Sequence, residues 1–435
     1  MARLWEEQRP LRFPLVTTGG EEIQVVYRGW RRWDRGPDFA GALIAWPGAE
    51  LRIGEVEIHL RSSDWWAHGH HRDPHYNGVI LQVVLWDDAS VPTIREDGVT
   101  VPVVTLAPHL TVPLEILLSS PLPVAPPPIP CWRGTQDDSL EAMLEGCGRD
   151  RLAAKAARFE AGLTCIPPDQ LLYQGIAAAL GYSQNRLPFH RLAERVPLDL
   201  LLTWRGDREA LLLGAAGLLP SQRGLILKGD DRYVAALEAR WAADGPSWVW
   251  DPMDPREWEF FRVRPANFPT RRVAALAGLV ARWPRDGLAE TLADLVVSLE
   301  SRAVPRALEE LALLRSPRSY WDERCDFDRC LRRPMDLVGR HRAAEIAVNV
   351  FLPFLVARAS HLDDSRLGGR IWEVYRLYPK RGDNELSRYV ATHVTGVPRP
   401  RAARSACRQQ GLLHLYWSWC KTKWCDQCPV QRTQG

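Results

Sequence analysis

Asp38, Glu55, Glu57 and His59 are the residues of this chain whose types and spacing best suit catalysis. They fall in residues 36–88, GPDFAGALIAWPGAELRIGEVEIHLRSSDWWAHGHHRDPHYNGVILQVVLWDD. Asp38 directly precedes one apolar run, and Glu55, Glu57 and His59 occupy alternate positions of the next. Strand side chains alternate faces with a period of two. Both glutamates and the imidazole therefore share one face, while Val56, Ile58 and Leu60 turn to a core. Three carboxylates and an imidazole on one patch are suited to hold a divalent cation beside a water molecule. The plain alternative is an antiparallel meander whose wet face carries these acids.

Three further groups stand out. In HGHHRDPH, imidazoles that suit Zn²⁺ make His68, His70 and Asp73 similar to the HxHxDH pattern of metallo-β-lactamase-like hydrolases. Asp73 falls one position late, and no histidine follows it directly. A zinc-dependent hydrolase is one alternative this allows; the other keeps His70 as a phosphate-facing group beside the carboxylates. Cys407, Cys420, Cys425 and Cys428 form C-x12-C-x4-C-x2-C, followed by Pro429, in a chain with no cysteine before Cys131. Such clustering in a reducing compartment indicates a metal site rather than disulfides. Zn²⁺ accepts four thiolates and so does a [4Fe–4S] cluster, which the final Cys-Pro favours. Buried free thiols are the plain alternative. Arg264, Asn267, Arg271 and Arg272 surround a helix start at Pro269. Cations there oppose the helix dipole unless an anion binds, so the four are candidates for a phosphate clamp, or else stems paired with acids.

The elements that must position these groups can be read from periodicity. Leu4 to Arg9 predicts a short helix; Glu22 to Tyr27, Phe39 to Trp46 and Leu51 to Leu60 predict strands. Ser62, Ser63 and Asp64 cap a helix expected through about His71. Val79 to Trp86 predicts a strand buried on both faces, and Thr100 to Leu106 one more. The order is helix, three strands, helix, strand. The proline-rich PLPVAPPPIP at 121–130 marks a connector. Helical patterns cover Ser139–Leu163, Gln170–Gly181, Arg208–Leu218, Arg271–Trp283, Leu288–Glu300 and Arg340–Ala359. The expected fold class is α+β and multidomain. A mixed-sheet domain at 1–120 and a linker at 121–134 precede a mainly α-helical domain at 135–397 and a Cys-rich basic tail at 398–435.

Net charge is only +3, so composition alone does not mark a nucleic-acid binder, although the tail carries seven basic residues against Asp426 alone. The most apolar run, Ile346 to Ala357, is too short for a bilayer and holds Asn349 and Pro353. The start lacks the apolar core of a signal peptide. A cytoplasmic protein without membrane contact is expected.

With Pro37-Asp38 at the mouth of the second strand and Glu57-Ile58-His59 on the third, the element order resembles the PD-(D/E)XK phosphodiesterase superfamily. The resemblance implies that Asp38 and Glu57 ligate Mg²⁺ or Mn²⁺, with Glu55 as a further ligand. The ion would polarise a phosphoryl oxygen and activate the attacking water. His59 stands where that superfamily has lysine; a neutral imidazole can deprotonate water near neutral pH. The same exchange fits a degenerate core that binds nucleic acid without cutting it. Some nucleases of that superfamily carry a four-cysteine iron–sulfur staple, similar in kind to the C-terminal cysteines here. Through GPDF, GEVEIHLRSSDW, HGHHRD, LGYSQNRLPF, RPANFPTRR and QQGLLHLY the chain also resembles, along nearly its whole length, a bacterial domain-of-unknown-function family (number 2851). Gln82 departs from the histidine expected there in VILHVV. The leading expectation is a metal-dependent nuclease acting on DNA more than RNA. The alternatives are a non-catalytic nucleic-acid-binding protein and a zinc-dependent hydrolase.

Overall fold

A computed structural model describes the chain apart from residues 9–10, 32–35, 112, 115–130, 133–136, 227–230, 245–250, 262, 316–318, 381, 384, 398–399, 422–424 and 433–435. It forms two compact units, Met1–Pro126 and Pro127–Gly435. The proline-rich connector at 121–130 lies outside the described residues.

The first unit opens with helix α1 (Ala2–Glu7), whose Trp5 is wholly buried. Seven strands follow: β1 (Leu15–Val16), β2 (Glu22–Tyr27), β3 (Trp30–Arg31), β4 (Phe39–Trp46), β5 (Glu50–Ile58), β6 (Val79–Val84) and β7 (Val103–Thr105). Their order in the sheet is β1-β2-β4-β5-β6-β7, with β3 also pairing β4. β2, β4 and β5 are an antiparallel meander, whereas β6 runs parallel to β5, and β7 to β6. A parallel step needs a crossover. Here it is helix α2 (Asp64–Ala67) and two 3₁₀ turns, His70–Arg72 and Pro74–Tyr76. One face of the sheet closes a core of Phe39, Ile44, Val56, Ile58, Leu81 and Val83. β2 and β4 have their expected limits. β1 and β3, two residues each, are too short to leave a periodic trace.

Two register shifts aim the residues. Gly41 has a φ of 65° and sits where one extra residue of β4 passes between the pairs Phe39↔Val56 and Ala42↔Gly54. On β6, Val79 pairs with Glu55 but Leu81 with Val56, so Ile80 is the extra residue and the alternation flips. Past the shift Gln82 stands beside Glu57, and Leu81 and Val83 face the core with Val56 and Ile58.

The second unit is largely helical. It includes α3 (Asp137–Leu163), α4 (Pro168–Leu180), α5 (Pro269–Val280), α6 (Arg340–His361), α7 (Glu385–Thr395) and α8 (Ala406–Leu415), the last continuing into a π-turn at Tyr416–Cys420. A small hairpin, Arg324–Asp326 with Arg329–Cys330, was not expected from the sequence. α6 is long and apolar enough by composition to cross a membrane, contrary to the reading of 346–357, yet 72% of its most apolar window is buried within the molecule. The tail is not a separate module. α8 approaches α3 so closely that a Cβ on Gly411 would meet the Leu144 carbonyl oxygen at 2.1 Å. Cys407, Leu412 and Leu415 are buried.

Candidate metal centre

Glu57 and His59 lie on the site face of β5 and its end, both almost fully buried, as the period of two required. Asp38 immediately precedes β4 and meets them through the backbone. Its N–H donates to Glu57 Oε2 at 2.9 Å, and its own Oδ2 accepts from the Ile58 N–H at 3.2 Å. Each carboxylate thus has one oxygen tied to the other's strand. Glu57 Oε1 faces His59 Nε2 at 3.5 Å and His70 Nε2 at 3.4 Å.

The crossover delivers the histidines. The expected helix through His71 stops instead at Ala67, because Gly69 adopts a φ of 75°. That left-handed residue is one glycine supplies without steric cost. In a continuous helix His68 and His70 would point roughly 200° apart around the axis. Reversal at Gly69 sends both back to β5. His68 Nδ1 lies 3.2 Å from His59 Nε2, and the ligand nitrogens of His59, His68 and His70 all lie within 4.8 Å of one another. Trp65 meets His59 and His70 edge-on, and Tyr76 stacks on His70 at 3.8 Å between ring centres. Trp65, Tyr76, Val79 and Val101 form a small apolar cluster of their own behind this wall.

A second layer orients His59. Gln82 Nε2 lies 3.0 Å from His59 Nδ1 and donates to the Ser62 carbonyl at 3.3 Å; the Thr93 hydroxyl donates to Gln82 Oε1 at 2.7 Å. With the amide so turned, His59 carries its proton on Nε2, toward His68 and Glu57. A cation at Nε2 requires the other tautomer, with Nδ1–H donating to the turned amide oxygen.

Electrostatics favour a cation. Burial foremost, with Asp38 adding its charge, raises the Glu57 pKa against a lowering by the His70 contact. Burial, then the charges of His70 and His68, bring His59 down to about 3, so at neutral pH it is a neutral imidazole, able to ligate at Nε2 once its proton sits on Nδ1. His70 Nε2 is buried without a hydrogen bond, its 3.4 Å approach to Glu57 being too poorly aligned to count as one. A carboxylate held above its ordinary pKa beside a neutral imidazole and an unsatisfied ring nitrogen is a donor set that a metal ion would complete.

Other candidates fall elsewhere. The Glu55 carboxylate packs over Gly78, where a Cβ would come within 2.6 Å of Oε2. Asp73 does not join His68 and His70; it accepts from the His75 backbone at 3.0 Å and lies 2.7 Å from His75 Nδ1. The phosphate clamp is corrected by burial. Arg271 donates to the carbonyls of Trp321, Ala266, Met335 and Asp336, and Arg272 to Leu337 O and Asn267 Oδ1. Both guanidiniums are buried among these acceptors, while Arg264 stays exposed. They staple a loop to the start of α5. Cys407 is wholly buried between α8 and α3, its thiol directed at Glu145 O at 3.8 Å.

Gln82, Thr93, Trp65 and Tyr76 escaped the reading of the sequence as site residues. Gln82 alone left a trace, a polar residue in the otherwise apolar run VILQVV. No curated protein and no solved structure matches this chain. Residues 1–384, which include every residue of the centre and stop short of the C-terminal cysteines, match the family described as "Protein of unknown function (DUF2851)", and the chain belongs to that family.

Proposed function

We propose that the first unit is a metal-dependent phosphodiesterase, a nuclease acting on DNA before RNA, with its cation held by Glu57, His59, His68 and His70. The observation that carries this reading is the convergence of one buried carboxylate and three imidazoles. Three nitrogens and few oxygens suit Mn²⁺ or Zn²⁺ better than the Mg²⁺ that carboxylates alone would favour. A bound cation would polarise a phosphoryl oxygen and lower the pKa of a water. Asp38, whose charge bears on Glu57, is placed to orient that water and to take its proton. The order of α1, meander, crossover and parallel β6 agrees with the superfamily resemblance, and Pro37-Asp38 with Glu57-Ile58-His59 supplies its motif positions. His68 and His70 also belonged to the zinc-hydrolase alternative, which here merges with the nuclease reading into one centre without Asp73.

The experiment is incubation of the purified protein with single- and double-stranded DNA and with RNA, in Mg²⁺, Mn²⁺ or Zn²⁺. Cleavage with Mn²⁺ or Zn²⁺ that falls at least about 100-fold in Glu57→Gln is expected, as for loss of a metal ligand. No cleavage with any metal, or cleavage indifferent to Glu57→Gln, overturns the nuclease. Tight binding of nucleic acid without cleavage would instead select the non-catalytic alternative.

A further inference from the structure

The helical unit draws together a different set of cysteines than the C-terminal spacing suggests. Cys131 follows the connector and lies far from the tail in sequence, yet its backbone N–H donates to His393 O at 3.1 Å, and the Trp132 N–H to Val394 O at 2.8 Å. This pins Cys131 to the C-terminal end of α7. α7 packs on α8, and α8 runs directly into the π-turn that ends at Cys420. That π-turn contacts the 3₁₀ turn Cys425–Gln427, and the Cys428 N–H closes on Cys425 O at 3.0 Å. The start of the unit, the end of α8 and the last turns of the chain are thus tied to one another through α7 and α8.

Their charges report the same proximity. Burial and then Cys428, Cys131 and Cys425 push the Cys420 thiol up to about 12; burial and then Cys425 and Cys428 raise Cys131. Cys407 lies instead against α3, its thiol directed at Glu145 O and crowded by Gly148, and answers to burial and then to Glu145. Cys147, on α3, feels only Cys428 of the set. Thiols crowded around Cys420 in this way are poor neighbours as anions and good ones around a cation.

We propose that Cys131, Cys420, Cys425 and Cys428, and not Cys407, ligate a [4Fe–4S] cluster. The choice of cluster over a single zinc follows from spacing. A tetrahedral zinc with bonds of about 2.3 Å needs its sulfurs about 3.8 Å apart. Among the described residues, convergence of three ligand atoms to within 4.8 Å belongs to the histidine group and not to these thiols. A cubane places one iron under each thiolate and so takes them further apart. Cys425 is exposed and Cys428 buried, so the cluster would lie at the rim of the helical unit, tying Cys131 to the tail. The site is independent of the hydrolytic proposal, and either can fail alone.

The test uses the full chain, purified anaerobically and reconstituted with ferrous iron and sulfide. A broad absorption band at about 400 nm, with iron and acid-labile sulfide in equal amounts, is the expected result. Cys131→Ser and Cys425→Ser should each lose the band, and Cys407→Ser and Cys147→Ser keep it, with far-UV circular dichroism verifying that each variant is folded. Cys425 is exposed, so its substitution probes ligation without disturbing packing. A band that survives in Cys131→Ser or vanishes in Cys407→Ser overturns the ligand set. Zinc retained at one per chain, with no iron taken up, overturns the cluster.

Discussion

Gln82 shows how one side chain decides what its neighbour can do. It is fully buried, bonded to Thr93 on one side and to His59 on the other, and it sets which nitrogen of His59 bears a proton. Second-layer partners of this kind typically change metal affinity by about 10- to 100-fold when removed. Gln82→Leu should therefore weaken Mn²⁺ or Zn²⁺ binding by about that factor, measured by competition with a chromogenic chelator. It should also cost about 1–3 kcal/mol of stability by stranding the Ser62 carbonyl and the Thr93 hydroxyl. An unchanged metal affinity would reduce Gln82 to a packing residue. Arg271 and Arg272 are the contrary case. Their positions looked like a clamp for phosphate, but burial brings their pKa values down to about 10 and turns them to backbone carbonyls. A guanidinium without water must find acceptors, and the loop at 335–337 supplies them.

Turns and register shifts, more than strands or helices, build the centre. Gly69 is the sharpest instance: a Cβ there would meet nothing within 4 Å, so any penalty is one of backbone conformation. Gly69→Ala should cost about 1–2 kcal/mol by thermal or urea unfolding and should weaken metal binding further than its stability loss explains. Wild-type affinity in a correctly folded variant would mean that the His68–His70 reversal does not depend on glycine. The helical unit offers a pH experiment. Glu209, on the helix Arg208–Ala215, accepts from Tyr233 Oη and Trp321 Nε1, both at 2.6 Å, and burial raises its pKa. A folded-state pKa above the unfolded value of about 4.3 means that this carboxyl favours folding only below that value. Its contribution is lost as pH rises through the folded pKa. Glu209→Gln keeps an acceptor and removes the titration, so its melting temperature relative to wild type should rise between pH 5 and pH 8. A difference that falls over that interval contradicts a buried, raised carboxyl.

At the scale of the molecule, the tail belongs to the helical unit. The α3–α8 pair is held by the Gly411–Leu144 approach and by Arg408, which bonds Glu145 through two nitrogens at 2.9 and 2.8 Å. Deleting residues 398–435 should lower the melting temperature and raise binding of a hydrophobic dye, since α3 loses the partner that covers its apolar surface. A truncated protein that melts like the full chain would restore the separate-module view. The proposed thiol site lies beyond the C-terminal end of α8, where a metal would add a cross-link between chain segments distant in sequence.

Local order is legible in the sequence itself. Alternation placed Glu57 and His59 on one face and Val56 and Ile58 on the other, and valine-rich composition marked β6, because strand period and burial are written residue by residue. The same holds for the helical patterns at α3, α4, α5 and α6. What tertiary structure alone decided was which local features meet. Gly69 turned two histidines toward one β-strand, the extra residue on β6 put Gln82 beside Glu57, and packing of α7 on α8 brought Cys131 to the tail while Cys407 went into the core. Such meetings depend on the handedness of single turns and on helix contacts between segments hundreds of residues apart, which no local period encodes.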